Sequence, residues 1–198
     1  LLAIEPVFTG SADWNYVGRR QDWSAEPGLN ISLAGPVDVQ VWRTEYDEVI
    51  EGIAFREHSS SVAVQDARWK WLLVSGGYSS GESVNYHPPE GTLPFLTNEH
   101  DADVSLTWRP ARRLRVSETY YFTRLSVPAG AAGSAPAAGR VLDTHLARAK
   151  VNYQFTRRLS LRTIVDYNAV LSNPLLADQP FSRRLTSDVL LTYLVDPF

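Results

Sequence analysis

The chain has 198 residues, a net charge of −3 and a pI near 5.8, which allows one domain with a sizeable core. That charge balance leaves no whole-chain electrostatic footprint for nucleic acid. Cysteine is absent, so disulfides and thiolate metal sites are excluded.

Methionine is absent too, and this predicts a fragment or a processed product. The opening "LLAIEPVFTG" has no basic n-region and no long apolar run, so it does not read as an intact signal peptide. No window reaches 18 consecutive apolar residues, which excludes a transmembrane helix. Membrane β-strands remain allowed. They need only about 9–11 residues each and alternate in polarity, so their mean hydropathy is close to neutral. The value of −0.20 suits that case as well as a soluble protein.

Residues 1–28 are poorly assigned, with a candidate strand near Trp14–Arg20. The first predicted strands are Leu29–Ala34 and Val37–Tyr46, joined by "GP" at 35–36. A long acidic connection containing "DEVIEG" is expected over about 47–59, then strands Ser60–Gln65 and Trp69–Ser79 around the short "DAR". A long connection follows at about 80–101. Strands Ala102–Trp108 and Leu114–Leu125 flank the short "RPARR". The Ala/Gly/Pro/Ser-biased 126–139 predicts a mobile loop. Strands Val141–Phe155 and Leu159–Asn168 surround "TRR", and a long connection at 169–182 leads to Arg184–Leu194 and a short "VDP" turn. The count is at least nine strands, with no capped segment of helical period. Connections alternate short and long, as in an up-and-down sheet with tight turns at one end and long loops at the other. Outer-membrane barrels have that asymmetry.

Alternation is clearest in "VNYQFTRRLSLRTIVDYN" (151–168), where Val151, Tyr153, Phe155, Leu159, Leu161, Val165 and Tyr167 share one face. Aromatics stand at the margins of that face. Trp108, Phe155 and Tyr193 lie beside short turns, and Tyr120, Phe122 and Tyr167 lie toward the long loops. Smaller aliphatics such as Val104, Val116, Ala149 and Val189 fill the space between. Two aromatic girdles around an aliphatic band predict a lipid-facing surface. The opposite face would then line an interior, with Arg115, Lys150, Asn152, Gln154, Arg162, Asp166 and Asp188 facing the lumen. Glu118 is a misfit, because it shares the parity of Val116 and Tyr120.

Little else suggests chemistry. The histidines have no metal-ligand spacing, and "NEHDAD" (98–103) is a weak cation candidate beside the reading as a solvated strand entry. There is no phosphate loop and no GxSxG. His145 with Ser182 or Ser187 is the one conceivable hydrolase pair. No catalytic residue, metal or cofactor is assigned, and the chain is expected not to be an enzyme. The alternative to a transmembrane barrel is a soluble β-sandwich or a lipocalin-like module that turns the aromatic face inward.

Several later stretches carry a resemblance: "KVNYQFT" at 150–156, "LSLR" at 159–162, "DYN" at 166–168, "LLTYL" at 190–194 and "LTWRP" at 106–110. Over about residues 100–198, and more loosely before, the chain resembles the C-terminal barrel of the DUF5916 group. These are bacterial proteins with a carbohydrate-binding family 9-like domain. The resemblance implies an outer-membrane β-barrel, of which this chain is expected to be an incomplete fragment of about 9–10 strands, acting as a pore, a transporter scaffold or the membrane anchor of a periplasmic carbohydrate-binding-like module. It implies outer-membrane lipid as the surroundings, with lipopolysaccharide contact at the long loops. Two departures stand out. The sandwich module is not in this sequence, so its sugar binding does not carry over. The family pattern also continues beyond the "DP" turn with a closing strand, so with an odd count of nine the chain reads as one strand short.

Overall fold

The computed structural model describes residues 1–18, 20–128 and 138–195. Ten antiparallel strands follow in chain order: β1 (Ala3–Trp14), β2 (Arg20–Leu33), β3 (Val37–Ile50), β4 (Ile53–Trp69), β5 (Leu72–Asn85), β6 (Phe95–Ala111), β7 (Leu114–Val127), β8 (Gly139–Gln154), β9 (Leu159–Ser172) and β10 (Ser182–Tyr193). Each pairs with its sequence neighbours to make one up-and-down sheet, and no helix occurs among the described residues. The sheet is open, since β1 pairs with β2 and β10 with β9, but not with each other.

Strand lengths of 12 to 17 residues are two to three times the usual mode of about 5–6. Among the described residues no second sheet or helix packs over this one. The accessible surface is 13205 Å², against roughly 9,300 Å² expected for a compact 22.1 kDa chain. The difference is the unburied face of a single-layer sheet.

Two connections differ from those expected, since "DAR" lies inside β4 with the turn at 70–71, and the connection expected at about 80–101 is only 86–94 because β5 runs to Asn85 and β6 starts at Phe95. Three further expectations need correction. Residues 3–14 form a full strand, β1, which makes ten strands, so the argument from an odd count falls. The candidate strand near 14–20 is instead the connection between β1 and β2. Its alternation was hidden by Pro6 and Gly10, both unusual inside strands. The long acidic connection at 47–59 does not exist. β3 and β4 run on to a two-residue turn at Glu51 and Gly52, both with positive φ (51° and 81°). Two consecutive left-handed residues give the primed turn whose twist matches a hairpin. The acidic residues there are strand residues, and their charge had imitated a loop.

The end asymmetry otherwise holds. At one end the turns are 34–36, 70–71, 112–113 and 155–158, and at the other the connections include 86–94, 128–138 and 173–181. The core of the expected mobile loop, 129–137, lies outside the described residues.

Among the described residues, one buried apolar cluster forms, and it sits at the long-loop end. Leu176 and Ala177, from the β9–β10 connection, pack with Phe95, Val127 and Val141. Phe95 pairs with Asn85 and stands on the same face as Thr97, Glu99 and Asp101, which is the polar face. The connection is tied down from β8 to β5. Asn173 N donates to Val141 O (2.8 Å), Asn85 Nδ2 to Leu176 O (2.7 Å) and Asp178 N to His87 O (2.9 Å). Leu176 is 0% exposed. A single-layer sheet encloses a turn that fully only by curling around it, so at this end the polar face is the inside of the curve.

Candidate functional site

Residues paired across strands share a face, so the register assigns every side chain. One row runs Leu72, Trp108, Val116, Val151, Thr163, Val189, and a second runs Val104, Tyr120, Ala147, Tyr167, Leu185. Val39 and Val41 on β3 pair with Val64 and Val62 and extend this apolar face, as do Leu29 and Ile31 on β2. It is uncovered: Val104 is 52% exposed, Trp108 41% and Leu191 62%. Glu118 does belong to it, since the register is unbroken from Val116↔Trp108 through Glu118↔Leu106 to Tyr120↔Val104.

Five of the six aromatics singled out in the sequence lie on strands, and Phe155 lies in the turn after β8. Trp108 and Tyr193 are near the short turns, and Phe155 packs edge-on to Tyr153 (ring centroids 4.8 Å, 82°). Tyr120 and Tyr167 flank Ala147, and Phe122 is one pair nearer the long loops. Past them the same face turns polar. Two hairpins carry the same pair there: Tyr78 OH with His100 Nδ1 and Tyr120 OH with His145 Nδ1, each at 2.8 Å. Arg124 reaches Asp143 with Nε at 2.8 Å and NH2 at 3.0 Å, and Arg140 adds a contact at 3.4 Å. Burial raises the Asp143 carboxyl, but the two guanidiniums outweigh it and hold the group below the usual carboxylate range. Neither serine stands beside His145: Ser182 is on the other face, and Ser187 is four residues beyond Arg183, which is in line with His145.

All seven predicted interior residues fall on the polar face. Arg115, Asn152 and Arg162 form one row, and Lys150 and Asp188 form another through Ile164. Gln154 pairs with Ser160, and Asp166 receives Arg148 Nε at 2.5 Å. Arg162 Nε is buried with no hydrogen-bond partner.

The sequence reading missed the other half of this face. On β1 and β2 it carries Glu5, Asp13, Asp22 and Glu26, with Asp13 directly opposite Asp22. On β3 and β4 it carries Asp38, Glu48 and Glu57, and on β6 Glu99, Asp101 and Asp103 in register with Gly81, Ser79 and Gly77. Among the described residues, no paired position on this face of β1 to β6 holds Lys or Arg. Arg109, at the short-turn end of β6, lines one concavity with Arg115 and Arg162, and the other bases are on β7 to β10: Arg115, Arg148, Lys150, Arg162 and Arg184.

The acidic half is densest beside the 86–94 loop. Tyr46 OH donates to Glu57 Oε2 at 2.7 Å, and Tyr86 OH to Glu48 Oε1 at 2.6 Å. Glu57 is fully buried and its Oε1 has no hydrogen-bond partner. Burial, reinforced by the adjacent Glu48 carboxyl, pushes Glu57 up to about 7, although the Tyr46 bond works the other way. Burial and then the Asp101 charge push Glu99 up to about 7. Both stand beyond the apolar band, on the long-loop side of Val62 and Ala102. Among the described residues no group of three or more His, Cys, Asp or Glu is arranged to hold a metal ion. The "NEHDAD" residues divide by parity, with His100 on the apolar face and Glu99, Asp101 and Asp103 on the polar one.

Comparison with known proteins gives no match to a family model, to a curated protein or to a solved structure.

Proposed function

We propose that this chain is part of a bacterial outer-membrane β-barrel that forms a pore, with its apolar face against lipid and its polar face lining the interior. One observation carries the reading. A single-layer sheet of ten long strands leaves a continuous apolar face uncovered, edged by aromatics, while its polar face is the inside of the curve at the long-loop end. In water such a face is a liability, and in a bilayer it is the required surface. A lipocalin-like module would need the opposite curvature, with the apolar face enclosed.

On this reading closure satisfies the free edges of β1 and β10, because bilayers do not tolerate open sheet edges. The short turns face the periplasm, and the long loops reach the lipopolysaccharide layer. The resemblance to the DUF5916 group adds a periplasmic carbohydrate-binding-like module on the same polypeptide. No side chain is given a catalytic role.

The test is fractionation of the full-length protein from a Gram-negative host, followed by gel migration with and without heating. Recovery in the outer membrane with heat-modifiable migration is expected. Recovery in the soluble fraction with migration insensitive to heating would overturn the proposal.

A further inference from the structure

The charge on the polar face is divided. Ten carboxyls occupy β1 to β6, where Arg109 stands at the short-turn end of β6, and five further bases lie on β7 to β10 with Asp166 and Asp188. Twelve acids against six bases leave an excess of six negative charges with every acid ionised, and of four with Glu57 and Glu99 protonated, on one face of a chain whose total is −3.

Neutralisation does not come from within. Among the described residues, none of the ten is in an ion pair: the acids of the other pairs, such as Glu45, Asp66, Glu82 and Asp143, stand elsewhere, and Arg148 pairs with Asp166 on β9. The polar partners of the ten are hydroxyls and amides, apart from the contact between the Glu48 and Glu57 carboxyls. Asp101 accepts from Thr123 Oγ1 (2.6 Å) and Ser79 Oγ (3.3 Å), and Asp38 from Ser32 Oγ (2.9 Å). Glu57 is enclosed with one carboxyl oxygen unpartnered. Like charges on adjacent strands repel, and a curved low-dielectric wall focuses their field into the concavity. Mobile cations are what such a wall attracts.

The arrangement suits passage and not capture. The carboxylates are spread over five strands, and among the described residues no three converge as metal ligands. Conduction needs sites that favour entry yet are weak and multiple enough to allow exit.

We infer that the polar face is a pathway for small cations, drawn along the carboxylate wall of β1 to β6. This rests on the pore reading above.

The experiment is reversal-potential measurement in a planar lipid bilayer with the full-length protein under a KCl gradient. The expected result is K⁺ preferred over Cl⁻ by on the order of tenfold. In D101N/D103N that preference falls by about threefold or more, while in K150Q/R162Q it holds or rises. Heat-modifiable migration confirms that each variant is inserted. If D101N/D103N does not insert, E5Q/E26Q/D38N reads the same wall. Conductance that prefers Cl⁻, shows no preference, or is unchanged by neutralising these acids overturns the inference and leaves the pore reading standing. A wild-type protein that inserts but never conducts overturns both.

Discussion

If the apolar face meets lipid, Val151→Arg separates the two faces by energy. Val151 is paired with Val116 and Thr163 on the apolar face, midway along the chain between Ala147 and Phe155. It lies four residues from Ala147, which is level with the Tyr120 and Tyr167 girdle. Four residues are about 13 Å along a strand. At a tilt near 40° that becomes roughly 10 Å of depth below the interface, close to the bilayer midplane. Arginine there costs about 2–4 kcal/mol, which lowers the folding equilibrium constant by roughly 30- to 700-fold. The next residue, Asn152, faces the other way, between Arg115 and Arg162. Asn152→Arg meets two like charges in an aqueous interior, and its penalty should stay under about 1 kcal/mol. The assay is urea unfolding in phospholipid vesicles, followed by fluorescence of the six tryptophans. Equal penalties at 151 and 152, or a larger one at 152, would refute the assignment of faces.

The β9–β10 connection should depend on Leu176, which is fully enclosed by Phe95, Val127 and Val141. Leu176→Ala is expected to destabilise it by about 2–5 kcal/mol, seen as faster amide exchange over 173–181 with the central strands unchanged. At Gly81 an added Cβ would meet His58 O and stand 2.6 Å from Ser59 Cα. Both contacts are backbone, so Gly81→Ala should cost about 1–3 kcal/mol in the same unfolding assay. Glu57 and Glu99 are raised from an ordinary 4.5 to about 7, so between those values the folded state holds more protons than the unfolded one. Stability should therefore be full below about 4.5 and fall as pH rises through about 7. A pH series of unfolding midpoints checks this, and E57Q/E99Q should flatten the slope.

Much of the later half was legible because period-two alternation is a local property. From Leu114 to Asn168 the side chains announce strand and face residue by residue, and the turn expected at "TRR" comes within one residue of the one at 155–158, while "RPARR" overstates the turn before β7 because β6 runs on to Ala111. The same signal failed where local chemistry disguised it. Pro6 and Gly10 hid β1, and the acidic run before Glu51 looked like a loop because charge suits a solvated connection as well as an exposed hairpin. Glu118 looked like a register error and is not one.

The acidic wall was illegible for a different reason. Its members come from five strands, and whether Asp13, Glu48 and Asp103 share a face depends on pairings across the whole sheet, where a slip of one residue would turn a strand over. Alternation in the sequence was enough to determine an all-β, up-and-down chain with one apolar and one polar face, since a residue's side of a strand is set by its immediate neighbours. Only the tertiary structure decided that the polar face is the inside of the curve, that the β9–β10 connection folds across it, and that most of its acids and most of its bases occupy opposite halves of it. Those are properties of pairs of residues that are far apart along the chain and brought together by the sheet.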